Sequence, residues 1–258
     1  MKIKEKKEGI ILHAKHAYMP NSLGFCGPDE GGRILEHLQE GKVSEQLISD
    51  LMKFEAAYPF IRMIAESTGK DVFDYEVPEA YWIGNSLLEK VTVEDFYRFT
   101  HSTLKRRDRE AVKKVFKAGE ADLLPHHTMY VMMSLAFPMV KGGPTVESEK
   151  RIVEQMDNCR VSWGEVKEIR RKELVVLRRP LVKDERGISL AKPVITRVRY
   201  DGSIDSFTRL KTGEKVSIHW NFACQRLTEA QARNIEAYTV YDLDKVNKMM
   251  TKLKTVFR

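Results

Sequence analysis

The periodicity of apolar residues changes near residue 160, and this change limits the folds open to the chain. Earlier segments repeat apolar residues at helical spacing, as Ile10, Ile11, Ala14 and Ala17 do. Later segments are short, rich in valine, isoleucine and aromatic residues, and separated by turn-forming stretches: RVSWGEVKEI, ELVVLRRPLV, PVITRVRY and EKVSIHW. A sheet of such short strands would leave its edges exposed unless it closes into a barrel. The sequence therefore predicts an α+β fold, in which a mainly helical N-terminal domain precedes a small OB-like β-barrel and a C-terminal helix.

The loop KGGPT, residues 141–145, is the predicted boundary between these two parts. With this boundary, residues 1–143 form the predicted helical domain, and residues 144–258 form the predicted barrel with its C-terminal helix. Just before the boundary, the apolar segment LPHHTMYVMMSLAFPMV is compatible with either a helix or a buried strand.

Several residues predict where helices begin and end. Ser44, Thr92 and Thr228 each precede a helical pattern, and their hydroxyl groups suit the N-cap position. Pro20 follows the first helical pattern, and because proline cannot donate a backbone hydrogen bond, we expect that helix to end there.

Charge and cysteine content narrow the functional classes. The formal net charge is +7, and residues 151–258 hold 23 Lys and Arg against 14 Asp and Glu. This imbalance favours an anionic partner, which is a nucleic acid, an acidic protein surface or an anionic metal complex. No apolar run is long enough to predict a membrane span, and three cysteines do not predict a disulfide framework. We therefore expect a cytoplasmic protein without a membrane partner.

Candidate reactive residues in the first half are a cysteine and a histidine pair. Cys26 lies in the turn GFCGPD just ahead of a predicted helix, where amide donors and the helix dipole can activate a thiol. His126 and His127 follow Leu124–Pro125, and adjacent histidines point to different faces, so we expect at most one of them to act. We name Cys26 and His126 as catalytic candidates; the alternative is that both are structural.

A second pair of candidates comes from the predicted barrel. Cys159 precedes the first predicted strand, and His219 lies in the last one. Since the first and last strands of a closed barrel can be neighbours, these residues can meet although they are 60 positions apart. A thiolate with one neutral imidazole is a suitable donor pair for ferrous iron and leaves other coordination positions open.

The same residues carry a family resemblance. The segment CRVSWGEV from Cys159, together with GEKVSIHWNFA from Gly213, resembles the small [NiFe]-hydrogenase maturation chaperones of the HypC and HybG type. The resemblance implies that Cys159 and His219 hold iron, with cyanide and carbon monoxide as its other ligands. It implies as partner a maturation scaffold protein or the hydrogenase large subunit.

Two departures limit this resemblance, which covers roughly residues 155–235. The family's cysteine begins the mature chain, whereas Cys159 is internal, and Trp163 and Asn221 replace a proline and a glycine of the family pattern. The internal position of Cys159 argues against a role in transferring iron to a partner more strongly than against a role as an iron ligand.

Over its whole length the chain resembles an uncharacterised bacterial family, DUF6390, in segments such as YMPNSLGFCGPDE, EAYWIGN and LPHH.

Two alternatives stay open at this point. An OB-like barrel with a basic surface can bind nucleic acid, and we rank this partner below a protein. Bases would stack on Tyr200 or Trp220, and the phosphate contacts would be Arg178, Arg179, Arg197, Arg199 and Arg209. Alternatively, the helical part holds a metalloenzyme centred on the N-terminal histidines and Cys26. This requires that the fold bring together His13, His16, Cys26 and either His126 or His127.

Overall fold

Helices occupy the first part of the chain and strands the second in the computed structural model, which describes residues 3–28, 31–103, 124–141 and 145–256. The helices are α1 (Ile3–Ser22), α2 (Gly31–Glu40), α3 (Glu45–Leu51), α4 (Ala57–Thr68), α5 (Glu76–Trp82), α6 (Val93–Thr103), α7 (His127–Lys141), α8 (Val146–Cys159) and α9 (Glu229–Val256). The strands are β1 (Ser162–Ile169), β2 (Glu173–Arg178), β3 (Leu181–Asp184), β4 (Gly187–Leu190), β5 (Val194–Arg199), β6 (Lys215–His219) and β7 (Phe222–Leu227). The α+β class and the order of helices, barrel and C-terminal helix are confirmed.

Five of the strands form a closed barrel in the order β1–β2–β5–β7–β6. The neighbours are antiparallel except β5 and β7, which are parallel and pair only at Arg199 and Phe222. Inside, small and branched side chains fill the space, and a Cβ added at Gly164 would lie 3.0 Å from the Cβ of Val176. β3 and β4 form a separate hairpin.

One hydrophobic core joins the helical part to the barrel. Buried side chains of α1, α4 and α5 form a single cluster with the barrel interior, which includes Val166, Val176, Val216 and Ile218. A second cluster joins α7, α8, α9 and the β3–β4 hairpin. The division at residue 143 stays a prediction, and residues 142–144 lie outside the described part of the chain.

Several predicted helix boundaries are confirmed. Ser44 caps α3 through its hydroxyl group, which accepts from the backbone N–H of Leu47 at 3.1 Å. Thr228 accepts from the N–H of Gln231 at the start of α9, and the Gln231 side chain accepts from the N–H of Thr228 in return. The segment after Leu124 is a helix, which resolves the choice left open by its composition.

Two boundary predictions are wrong. α1 does not end before Pro20 but runs through it to Ser22. The segment after His219 forms a further strand, β7, because a two-residue turn at Trp220 and Asn221 reverses the chain and lets it pair with β6.

No helix within the described ranges is both long enough and apolar enough to span a bilayer.

Candidate metal site at the junction of the helices and the barrel

Three side chains from separate elements meet at the end of the barrel. They are His127 at the start of α7, Cys159 at the end of α8 and His219 at the end of β6, and their candidate ligand atoms all lie within 4.8 Å of one another. Both histidines are buried, and Cys159 is partly buried. Two imidazoles and one thiol form a donor set typical of Zn²⁺, Co²⁺ or Fe²⁺. A tetrahedral metal would hold such atoms about 3.3–3.8 Å apart, which lies inside the 4.8 Å limit of the cluster.

Pro20 contributes to the orientation of His219. A proline has no N–H, so the carbonyl of His16, four residues earlier in α1, cannot receive the usual helical hydrogen bond. This free oxygen accepts a hydrogen bond from Nδ1 of His219 at 2.7 Å. A carbonyl only accepts, so the proton is on Nδ1 and the lone pair is on Nε2, which is buried without a hydrogen-bond partner. The arrangement leaves His219 ready to bind a cation.

The C-terminal end of α8 orients His127 in a similar way. The last carbonyls of a helix have no partner within that helix. The carbonyl of Cys159 accepts from Nε2 of His127 at 2.8 Å, and Nδ1 of His127 receives the hydroxyl of Tyr81 at 3.1 Å. Burial raises the pKa of Tyr81 well above its usual value, so the hydroxyl keeps its proton and can donate. In both histidines, one ring nitrogen is fixed by a backbone carbonyl and the other carries the lone pair, as in protein metal sites.

The turn after His219 is also held by α8. Trp220 and Asn221 have φ values of 51° and 55°, a left-handed conformation that is rare for a residue as large as tryptophan. The N–H of Trp220 donates to the carbonyl of Asn158 at 2.7 Å, which stabilises the turn. Backbone strain of this kind is concentrated at functional sites.

Burial keeps the donors of the cluster neutral. It lowers the pKa of His219 to about 4, against which the nearby backbone carbonyls of His16 and Cys159 act. It lowers the pKa of His127 well below its usual value, and the neighbouring His219 adds to this shift. Burial raises the pKa of the Cys159 thiol to about 12, and the nearby Cys26 raises it further. At neutral pH the cluster holds two neutral imidazoles, of which that of His127 accepts a hydrogen bond from Tyr81, and a thiol whose proton a metal would displace.

Trp82 lies at the centre of a ring of histidines. Its indole contacts the rings of His13, His16, His127 and His219, with centroid distances of 5.7, 5.4, 4.6 and 5.5 Å. The indole N–H donates to Nδ1 of His13 at 3.0 Å. This apolar ring excludes water, which lowers the pKa of His13 to about 4 and that of His16 to about 3.

His13 and His16 lie near the cluster, but their hydrogen bonds go to residues outside it: Trp82 donates to His13, and His16 bonds to Ser217. Nδ1 of His16 bonds to the carbonyl of Leu12 at 3.0 Å, and Nε2 bonds to the hydroxyl of Ser217 at 3.1 Å. Neither nitrogen of His16 is therefore free to bind a metal.

The two adjacent histidines serve different places. His127 joins the cluster, whereas His126 turns away and places Nε2 at 2.9 Å from a carboxylate oxygen of Asp242 in α9. Both groups are buried, and burial raises the pKa of Asp242. Sequence reasoning singled out His126; the fold brings His127 to Cys159. No spacing in the sequence distinguished His127 from His126; in the structure His127 is the first residue of α7.

Among the basic residues considered for nucleic-acid binding, some form hydrogen bonds within the protein and others are exposed. Arg178 donates to Asp157 and Ser162, and Arg179 donates to the carbonyls of Leu190 and Ala191. Arg197 and Arg209 are exposed.

A groove of about 830 Å³ lies on the other side of α1, between that helix, residues 203–208 and β7. Lys15 lines it and donates to the hydroxyl of Ser206. Burial lowers the pKa of Lys15, against which Asp205 acts. The groove contains none of the three clustered residues.

Fold and site together define an α+β protein that carries a buried His/Cys cluster where its helices meet a closed barrel. The chain belongs to a family of unknown function, DUF6390, whose model matches residues 5–253. No curated protein and no solved structure was found to match it.

Proposed function

We propose that this protein holds a transition-metal ion at His127, Cys159 and His219 and acts as a metallochaperone. The ion is ferrous iron, free or as an Fe(CN)₂(CO) fragment, and the setting is [NiFe]-hydrogenase maturation in the cytoplasm. The barrel is then of the OB-like, HypC-like kind, and the partner is a maturation scaffold protein or the hydrogenase large subunit. The observation that carries the proposal is the meeting of three donors from α7, α8 and β6 with their atoms within 4.8 Å.

The hydrogen bonds around the cluster support a ligand role over a packing role. Both nitrogens of His16 and both nitrogens of His127 have hydrogen-bond partners, so Nδ1 of His127 can bind a metal only if the hydroxyl of Tyr81 moves away. His219 leaves a buried lone pair without a partner, which costs about 1–3 kcal/mol unless something binds there. A metal ion removes this cost.

The charges near Cys159 support an anionic iron fragment. Arg160 follows Cys159 directly and shares the carboxylate of Asp157 with Arg178, so two guanidinium groups face one carboxylate. The excess of one positive charge suits a ligand set that carries negative charge, as cyanide does. The assignment to hydrogenase maturation itself rests on the sequence resemblance at Cys159 and His219.

The test is anaerobic purification, metal analysis and infrared spectroscopy. We expect iron near one ion per chain after reconstitution with ferrous iron, and its loss in Cys159→Ala. Cys224→Ala is the matched control, because that thiol is buried in β7 and outside the cluster. Infrared bands in the cyanide and carbon monoxide region from protein isolated from its natural host would support the hydrogenase role.

Two outcomes separate the parts of the proposal. Wild-type protein that stays metal-free with ferrous iron would exclude the metal function. Protein that binds iron but never carries infrared-active ligands when isolated from that host would keep the metal site and remove the hydrogenase assignment.

A further inference from the structure

The loop that carries Cys26 packs against the same end of the barrel. Phe25 stacks on Trp220 with ring centroids 4.1 Å apart and planes 18° apart. Trp220 follows His219, and its side chain lowers the pKa of the Cys159 thiol. The stacked pair therefore places the residue after Phe25 beside the cluster.

Electrostatic interactions place Cys26 near the cluster as well. Burial is the main cause that raises the pKa of the Cys159 thiol, and the nearby Cys26 is the next. The same two cysteines raise the pKa of Tyr81, whose hydroxyl donates to His127. Cys26 is partly buried and forms no disulfide. It is a second thiol within range of the three donors, although it is not itself one of the atoms within 4.8 Å.

The charge balance of a buried metal favours a second thiolate. A divalent ion bound by one thiolate and two imidazoles keeps a charge of +1, and burying an uncompensated charge is costly. One more thiolate makes the unit neutral and completes the four ligands that tetrahedral ions prefer. His219 is 1% exposed and its Nε2 has no hydrogen-bond partner, so the cluster offers a buried lone pair to a cation.

We propose that Cys26 is the fourth, exchangeable ligand of the metal held by His127, Cys159 and His219. This rests on the proposed function. Each thiol gives one proton to solvent when its sulfur binds, and no electron is transferred. With Cys26 bound, the ion is enclosed; when Cys26 leaves and regains its proton, one coordination position opens for an incoming ligand.

Hydrogen bonds hold the backbone of the loop against the end of α1. The N–H groups of Gly24 and Phe25 donate to the carbonyls of Asn21 and Pro20, both at 2.9 Å, and the amide of Asn21 donates to the carbonyl of Cys26 at 3.0 Å. In this proposal the thiol therefore exchanges by rotation of the Cys26 side chain, while the loop keeps these hydrogen bonds.

Cobalt is the probe that tests the fourth ligand. Co²⁺ reports its thiolates through charge-transfer absorption in the near ultraviolet. We expect wild-type protein to show two thiolates and to release two protons per Co²⁺. Cys26→Ser should show one thiolate and release one proton per Co²⁺. Added 2-mercaptoethanol should restore the second thiolate band in Cys26→Ser. Cys224→Ala should match the wild type.

X-ray absorption on the zinc-loaded protein gives a second readout that does not depend on a variant. Two sulfur and two nitrogen neighbours in the wild type are expected; one sulfur, with a cobalt spectrum unchanged in Cys26→Ser, would overturn the role of Cys26 and leave the three-ligand site intact. Wild-type protein that binds neither ion would overturn both proposals.

Discussion

Two buried polar clusters lie at the end of α8, and they are stabilised in opposite ways. Asp157 belongs to a cluster of charges: its carboxylate accepts from the guanidinium groups of Arg160 and Arg178 and from the N–H of Leu181 at 2.9 Å. Two residues further on, Cys159 belongs to a cluster of neutral groups, in which backbone carbonyls and the hydroxyl of Tyr81 hold the two imidazoles by hydrogen bonds.

The difference separates a structural cluster from a proposed ligand site. In the charged cluster the carboxylate of Asp157 already bridges the two guanidinium groups, so contacts within the protein hold the charges in place. In the neutral cluster the donors keep lone pairs and a displaceable proton, and the end of a helix, where the dipole is negative, favours a cation. The following variants and conditions should affect the two clusters separately.

Acid should affect the neutral cluster most strongly. The pKa values of His13, His16 and His219 are about 4, 3 and 4 in the folded protein and near 6.5 when unfolded. The unfolded chain therefore binds more protons below pH 6.5, and the stability present above that pH is lost as the pH falls toward 4. We expect the free energy of unfolding of metal-free protein to fall by several kcal/mol between pH 7 and pH 5, measured by urea denaturation. A flat profile over this range would show that these histidines are not buried neutral.

Asp157→Asn should affect the charged cluster. The change leaves Arg160 and Arg178 buried without a counter-charge, and we expect a loss of about 3–5 kcal/mol in the free energy of unfolding. The control on the same helix is Glu147→Gln, whose exposed pair with Arg151 at 3.3 Å should contribute below about 1 kcal/mol. Equal effects of the two variants would remove the contrast between the clusters.

Pro20→Ala should weaken metal binding from a distance. Alanine restores an N–H that competes with His219 for the carbonyl of His16, so the imidazole loses its fixed orientation. Removing such a partner costs about 10- to 100-fold in metal affinity, and we expect the lower end of that range in a Co²⁺ titration. Ser22→Ala, at the end of α1, is the control. Unchanged affinity in Pro20→Ala would limit the proline to a role in the helix.

Tyr81→Phe should have the smallest effect, and in the opposite direction. The hydroxyl of Tyr81 occupies the lone pair of His127 that a metal needs, at 3.1 Å. Removing a hydrogen bond of about 0.5–1.5 kcal/mol should raise metal affinity severalfold while lowering stability by a similar free energy. Isothermal titration and thermal unfolding measure the two quantities. Weaker metal binding in this variant would mean that the hydroxyl assists the bound state.

Periodicity and turn residues predicted most of the architecture. The change near residue 160, the caps at Ser44 and Thr228 and the meeting of the barrel strand at His219 with the segment after Cys159 all follow from local spacing and from strand closure. The first two features depend on neighbouring residues, and the third depends on the closure of the barrel. This is why they could be predicted from the sequence.

Only the tertiary structure decided which residues form the His/Cys cluster. His127 rather than His126 faces Cys159 because of how α7 starts against the end of α8, and no spacing in the sequence encodes that rotation. Pro20 predicted the end of a helix, but α1 continues, and the missing N–H instead frees the carbonyl that orients His219.

The amino-acid sequence by itself determined the α+β class, the barrel and the chemistry of the donors, because these follow from the periodicity and types of neighbouring residues. Only the tertiary structure decided which histidine joins Cys159 and which carbonyls hold the rings, because these contacts join segments 32 to 203 residues apart.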